Sequence, residues 1–185
     1  MPEPIAIAAV RVAHQHHQLV FAHPSNLTGI QVAIDSGVDI LAHAPDETSG
    51  IGDAVLRSAV AKHMAMSPTL KLFSGADDIA EIRRVGRRFH EPGGELMFGT
   101  DTGYQSDYDV NGEFQQLQKA GLNTIEILRM LTENPAGRFG VQKERGRLMP
   151  RIIADLTVLA RSRVRCRRVF ARSTYDSRRT NYLRR

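Results

Sequence analysis

The chain has 185 residues, of which 42% are hydrophobic and 24% charged, a composition typical of one ordinary globular domain rather than a disordered chain. It has no run approaching the roughly 18 consecutive apolar residues of a membrane span, and its N-terminus lacks the pattern of a secretory signal. We therefore expect a cytoplasmic protein without a membrane partner. The single cysteine, Cys166, excludes an internal disulfide framework and a cysteine-based zinc site, so any metal must be held by histidine and carboxylate side chains.

The net charge of +5 is concentrated at the C-terminal end of the chain. Residues 161–185 contain ten of the 25 basic residues, all arginine, and one of the 20 acidic residues, which leaves residues 1–160 mildly acidic. Arginine with little aromatic interleaving gives only non-specific, salt-sensitive attraction to nucleic acid. We therefore favour a disordered tail produced by a reading-frame shift near Ala160. The alternative is a non-enzymatic module whose tail contacts nucleic acid or anionic surfaces.

Short apolar runs alternate with helical patterns along residues 1–140. The predicted strands are QLVFAH, DILAHA, the start of AMSPTLKLF, and ELMFGTD, and each of the first three is followed by a segment with helical spacing of apolar residues. Two further helices are predicted in 107–121 and 123–140, the second capped by Asn123 or Thr124 and interrupted at Asn134-Pro135. ADLTVL reads as one more strand. Consecutive strand-helix units imply a parallel sheet with covered faces, either doubly wound or part of a barrel.

Polar side chains close three of these apolar strand runs. His23 ends QLVFAH, His43 ends DILAH, and Asp101 ends LMFGTD. Active sites of parallel α/β proteins gather at the C-terminal ends of the strands, and imidazole and carboxylate are metal ligands. One histidine at a strand end is more often structural, but the repetition at three strands favours a metal site formed by His23, His43 and Asp101.

A second histidine pattern, the H-x-H of His14 and His16, imitates a metal motif used by hydrolases. These residues precede the first strand run, so they fall at the end of a helix or in the turn into the strand, on the opposite rim of the sheet. Histidine near a helix C-terminus is favoured by the helix dipole without any metal. We therefore predict that His14 and His16 are not ligands, and that His63 and His90 are surface histidines late in their helices.

Five segments of the chain resemble, in order and spacing, the second half of an amidohydrolase-superfamily enzyme. They are VFAHPSNLTGIQVAIDSGVDILAHAPDET, MSPTL, GTDTG, FQQLQKAGLNTIEILRMLTENPAGRFG and ADLTVL. They are most similar to the imidazolonepropionase-like and Xaa-Pro dipeptidase-like group. The resemblance implies the C-terminal half of a distorted (β/α)8 TIM-like barrel that holds one or two divalent metals, usually zinc. It also implies hydrolysis of an amide-like C–N bond in a small-molecule substrate, dipeptides included.

By motif match, His23 corresponds to the fifth-strand histidine ligand and His43 to the sixth-strand one. Asp101 corresponds to the eighth-strand aspartate, which binds metal and accepts a proton from the water, and is thus the expected catalytic residue. The first-strand H-x-H and the fourth-strand ligand of the family have no counterpart in this chain. With three ligands, we predict weak metal binding and slight or no hydrolysis.

The resemblance also divides the chain into three parts. Residues 1–150 form the partial barrel, 151–160 a remnant strand of the family's small β-domain, and 161–185 the arginine-rich tail. Half a barrel leaves two open sheet edges and an apolar face, so we expect aggregation, marginal stability or a homo-oligomer formed through those edges. A complete fold made by pairing two half-barrels in a homodimer is a further possibility.

Overall fold

The structure is a computed structural model that describes residues 1–104, 106 and 108–157. The arginine-rich segment 161–185, with Cys166, lies outside the described residues, as does the proposed frame-shift point at Ala160. The predicted strand of 151–160 is covered only as far as residue 157. Residues 151–157 belong to no helix or strand, so that strand stays a prediction.

Strands and helices alternate through the first two thirds of the chain, as the apolar patterns predict. Four two-residue strands are each followed by helical segments, and three helices close the described part. In chain order the elements are α1 (Glu3–Gln15), β1 (Phe21–Ala22), α2 (Leu27–Ser36), β2 (Ile40–Leu41), α3 (Asp53–Ala61), β3 (Ala65–Met66), α4 (Ile79–His90), β4 (Glu95–Leu96), α5 (Asn111–Lys119), α6 (Thr124–Leu131) and α7 (Glu133–Arg138).

The strands form one parallel sheet in the order β1-β2-β3-β4. Strand order that follows chain order, with a helix between each pair of strands, is the arrangement found in a segment of a (β/α)8 barrel rather than in a doubly wound sheet, whose strand order reverses. The predicted α/β fold class with a parallel sheet is confirmed.

The two faces of the sheet bury different side chains. Leu41, Met66 and Leu96 stand in register on the face that packs against the helices and join the main hydrophobic core. Ile40 and Ala65 point to the other face and form a small second cluster with Met97. Both faces of these short strands are therefore apolar, as expected where a parallel sheet is covered on both sides.

Local signals in the sequence explain where the helices begin and end. The Asn26 side chain accepts a hydrogen bond from the Gly29 amide at the start of α2, and Gly37, with φ of 80°, ends that helix in the left-handed conformation that glycine adopts without strain. Asn123 and Glu126 form the predicted capping box at the start of α6.

The break between α6 and α7 falls at Thr132, and the prediction that Asn134-Pro135 ends the first helical segment is wrong by two residues. Pro135 occupies the third position of α7. Its missing N–H is tolerated there because the first turn of a helix has no intrahelical acceptors for its amides.

The last two helices cover the side of β4 that faces away from β3. The Phe98 amide donates to the Met130 carbonyl at 3.1 Å, and the Asn134 side-chain amide donates to the Leu96 carbonyl at 2.8 Å. The backbone groups of successive residues in a strand point to opposite sides. The Met97 amide donates to the Met66 carbonyl of β3, so the backbone groups of residues 96 and 98 point away from β3. The β4 edge is therefore hydrogen-bonded, which corrects the expectation of two open edges.

The end of α7 lies over the face of the sheet that carries Ile40 and Ala65. Arg138 forms an ion pair with Glu95 on β4 at 3.0 Å and donates to the His63 carbonyl at 2.9 Å. Phe139 stacks on Phe21 of β1, with ring centroids 6.4 Å apart. This segment covers part of the surface on which a barrel would place its other strands.

Asn134→Ala should destabilise the fold because it leaves the Leu96 carbonyl without its donor. The expected loss is about 1–2 kcal/mol of unfolding free energy, measured by urea denaturation. Gln31→Ala is the control, because Gln31 is exposed and bonds only within its own helix to Asp35. An equal effect of the two substitutions would contradict a role for Asn134 at the sheet edge.

None of the helices in the described part of the chain is long and apolar enough to cross a membrane.

Candidate functional site

Two histidines meet at the C-terminal ends of neighbouring parallel strands. His23 directly follows β1, and His43 lies two residues after β2. Their rings are in edge-to-face contact, with centroids 4.6 Å apart and planes at 70°. His23 is exposed and His43 is half-buried. The sequence-based expectation that these two side chains share one edge of the sheet agrees with this geometry.

His43 is the more constrained of the pair. Its Nδ1 lies 2.6 Å from the Thr69 hydroxyl, and its ring packs edge-on against Phe73 at 6.4 Å. Burial and the neighbouring His23 lower the pKa of His43, against the opposing effect of Asp101 and Asp46. The lowered pKa favours the neutral imidazole, which is the form that can bind a metal or accept a proton.

Asp101 lies in the loop after β4, on the same edge of the sheet. It is half-buried, and its charge acts on His43, which puts the two side chains in one electrostatic environment. Its φ of 56° is in the left-handed region, which few non-glycine residues adopt. Backbone strain of this kind clusters at functional sites, where the surrounding structure holds it in place.

The loop after β3 connects the histidine pair to the rest of the edge, and Thr69 within it is a site residue that the sequence did not predict. The Ala44 amide donates to the Pro68 carbonyl at 3.1 Å, which joins the loops after β2 and β3. Gly99, after β4, lies so close to Ser67 that a Cβ would be 2.4 Å from its hydroxyl oxygen. The loops after three adjacent strands are thus packed together.

A buried carboxyl lies next to this loop. Glu113 of α5 has no exposed surface, and its Oε2 accepts a hydrogen bond of 2.6 Å from the Lys71 amide. Burial raises its pKa to about 7, although hydrogen bonds from the Lys71 and Leu70 amides and the Lys71 charge act in the opposite direction. The Lys71 ammonium donates to the Asp109 carbonyl, which links the loop after β3 to the segment before α5.

His14 and His16 lie elsewhere. His14 belongs to the last turn of α1, and its Nε2 is 2.9 Å from Asp39, the residue that precedes β2. Asp39 also accepts a 2.7 Å hydrogen bond from the Val20 amide, which precedes β1. His14 therefore lies at the N-terminal edge of the sheet, opposite His23 and His43, and it has a structural partner there.

The histidines that follow α3 and end α4 have different surroundings. His63 is exposed just after α3. His90 is half-buried at the end of α4, with Nδ1 at 2.8 Å from the Gly94 carbonyl and Nε2 at 3.4 Å from Glu126. His90 therefore links α4 to α6, and the expectation of a plain surface histidine describes only His63.

The metal expected at this edge needs more donors than the described residues bring together. Imidazole and carboxylate are suitable ligand types for zinc, which takes four ligands or three and a water. Within 1–104, 106 and 108–157, however, no group of three or more His, Cys, Asp and Glu side chains is placed to hold a metal ion. His23 and His43 can thus supply two imidazole donors, and the described residues alone do not fit a complete metal site.

No protein-family model and no curated protein matches this chain. Solved structures do match. A Xaa-Pro dipeptidase with bound methionine in its active site is similar at a TM-score of 0.70 and 20% identity, over 83% of this chain and 42% of that one. A prolidase complexed with N-methylphosphonate-L-proline is similar at a TM-score of 0.74 and 22% identity, over 93% of this chain and 45% of that one.

A structure described as an amidohydrolase is similar at a TM-score of 0.67 and 22% identity, over 83% of this chain and 40% of that chain. The chain therefore spans less than half the length of these three solved structures. At sequence identities of 20% and 22%, the similarity to these structures shows a shared fold and no shared activity. The resemblance to amidohydrolase and Xaa-Pro dipeptidase proteins that the sequence motifs indicate is confirmed at that level, as a partial copy of their architecture.

Proposed function

We propose that this chain carries part of the active site of a metal-dependent hydrolase that acts on amide-like C–N bonds of small molecules. The observation that supports this most directly is the contact between His23 and His43 at the C-terminal ends of adjacent parallel strands. The similarity of the fold to an amidohydrolase, a prolidase and a Xaa-Pro dipeptidase supports the same class. Dipeptides that end in proline are accordingly the first substrates to test.

In this proposal His23 and His43 are ligands of a divalent metal, zinc being the first to test. Asp101 is proposed as the third ligand and as the catalytic residue, whose carboxylate would take a proton from the attacking water. In the described structure these three side chains do not form a group placed to hold a metal ion, so metal binding would have to draw them together. The lowered pKa of His43 supports the proposal, because it favours the lone pair that a ligand needs. The remaining donors would have to come from outside the described residues, so residues 1–150 are proposed as a partial barrel with an incomplete metal site.

Zinc binding should depend on one histidine pair and not on the other. We expect weak Zn²⁺ binding by the full chain in calorimetry, reduced at least about tenfold by His23→Ala or His43→Ala, since each removes one ligand. The matched controls are His14→Ala and His16→Ala, which should leave the affinity unchanged because these side chains lie at or near the opposite edge of the sheet. Equal losses from all four variants would mean adventitious binding and would reject the proposed site.

Hydrolysis by the isolated chain should be slight, because the described donors do not complete a metal site. The assay is release of proline from Xaa-Pro dipeptides in the presence of Zn²⁺, Mn²⁺ or Co²⁺, with Asp101→Asn as the inactive reference. Turnover in the usual enzymatic range of about 1–1000 per second would contradict the proposal of an incomplete site.

A further inference from the structure

Helix α5 begins with the dipeptide Asn111-Gly112, the only Asn-Gly pair in the sequence. The backbone nitrogen of a glycine in this position can attack the side-chain carbonyl carbon of the asparagine, because glycine has no side chain to hinder the approach. A C–N bond forms and closes a succinimide ring, and the side-chain nitrogen leaves as ammonia with the proton of the glycine amide. One water then opens either carbonyl of the ring, which gives aspartate or isoaspartate, the latter with an additional carbon in the backbone.

The packing of Lys71 favours glycine at position 112. A Cβ there would lie 3.0 Å from both Cγ and Cδ of the lysine. The residues on either side of the dipeptide are anchored to the same lysine, because the Asp109 carbonyl accepts from its ammonium group and the Glu113 carboxyl accepts from its backbone amide at 2.6 Å. An isoaspartate would lengthen the backbone between these two anchors and would therefore disturb the contact of α5 with the loop after β3.

Asp109 holds the side chain that would react. Its Oδ1 accepts a hydrogen bond from the Asn111 backbone amide at 3.1 Å and a second from the Asn111 side-chain Nδ2 at 2.6 Å. Both bonds draw the Asn111 side chain towards the residues before α5, whereas the attacking nitrogen belongs to the residue that follows. The helix itself restrains this nitrogen less, since the amides in the first turn of a helix have no intrahelical acceptor.

We infer that Asn111-Gly112 is a site of spontaneous deamidation, and that Asp109 slows the reaction by keeping the Asn111 side chain away from the Gly112 nitrogen. Closure of the succinimide ring requires the two reacting atoms in a near-attack arrangement, and a small displacement from that arrangement lowers the rate strongly. The inference is independent of the proposed hydrolase function, because the reaction requires neither a metal nor a substrate.

The rate of deamidation can be measured on the full chain without any ligand. The protein is incubated at mildly alkaline pH, and peptide mapping by mass spectrometry follows the conversion of Asn111 to aspartate and isoaspartate. We expect the folded wild-type chain to react at least about tenfold more slowly than the same chain unfolded in guanidinium chloride, because the unfolded backbone samples the near-attack arrangement freely. Equal rates in the folded and unfolded chains would overturn the inference, whatever the behaviour of any variant.

Substitutions of Asp109 test whether this residue is responsible for the protection. Asp109→Ala removes the acceptor and should raise the rate in the folded chain about tenfold, the effect of one net hydrogen bond, whereas Asp109→Asn retains an acceptor oxygen and should stay within about threefold of wild type. Asn134→Ala, which removes a hydrogen bond at the β4 edge, is the control for general loosening of the fold. An unchanged rate in Asp109→Ala, or an equal rise in Asn134→Ala, would reject the role of Asp109. If Asp109→Ala does not fold by circular dichroism, Asp109→Val is the second variant without an acceptor, and the same outcomes apply to it.

Discussion

Replacing Glu113 with glutamine should change how the stability of the protein depends on pH. Burial raises the pKa of Glu113 from 4.5 to about 7 in the folded chain. As the pH increases through this interval, the carboxyl ionises first in the unfolded chain, so the wild-type protein loses stability between about pH 4.5 and pH 7. The two pKa values differ by roughly 2.5, which corresponds to about 3 kcal/mol.

Glu113→Gln has no ionisation at this position, so its unfolding free energy relative to wild type should rise by about 3 kcal/mol between pH 4.5 and pH 8. The comparison at each pH cancels the titration of the other groups. Urea denaturation of both proteins at closely spaced pH values measures the difference. If the difference in unfolding free energy stayed constant over this range, Glu113 would not titrate there. That result would contradict the raised pKa, in which the effect of burial exceeds that of the hydrogen bonds and the Lys71 charge.

The matched control removes one negative charge from the surface. Glu144 is exposed, so Glu144→Gln should change the pH dependence of stability much less than Glu113→Gln does. The buried position also matters for the site, because Glu113 holds the Lys71 amide in the loop that carries Thr69. Ionisation of Glu113 destabilises the fold through the cost of burying its charge, whereas the amide hydrogen bonds from this loop favour the charged form.

Gly94→Ala should be the most damaging of the single substitutions considered. A Cβ at this position would lie 2.1 Å from the Phe89 carbonyl oxygen and 2.6 Å from the Phe89 ring, and the backbone oxygen cannot move away as a flexible side chain could. Phe89 is completely buried in the main core, so its displacement also disturbs the packing of α4. We expect a loss of about 3 kcal/mol or more, measured as unfolding free energy.

Gly75→Ala is the control for Gly94→Ala. Gly75 has no atom within 4 Å of the added Cβ and does not have a positive φ. The same chemical change there should alter stability by no more than about 0.5 kcal/mol. Similar losses at the two positions would show that the close approach of Gly94 to Phe89 does not determine the effect.

The parts of the fold that could be predicted are those with local signals. Apolar runs alternating with helical spacing indicate the parallel sheet, and Asn123 marks a helix start that the structure confirms. The break between α6 and α7 at Thr132 could be predicted less accurately. Pro135 is compatible with the first turn of a helix as well as with the end of one, and the contact of Asn134 with β4 is a tertiary interaction that the local sequence does not encode.

The histidine pair was predictable for the same reason, since parallel strands bring their C-terminal ends to one edge of the sheet. Thr69 was not, because its importance comes from a contact across 26 positions of sequence and from a backbone conformation that Pro68-Thr69 does not encode. Glu113 did leave a signal. It lies three residues after Val110 and four before Leu117, on the apolar face of α5, where an acid is unusual.

The hydrogen bonds that Met130 and Asn134 make with β4 occupy backbone groups through which another strand would pair. Addition of a strand from another molecule beside β4 would first require both contacts to be broken. As far as the structure describes the chain, this edge is therefore protected against the strand-to-strand contact from which open-ended chains and fibrils grow.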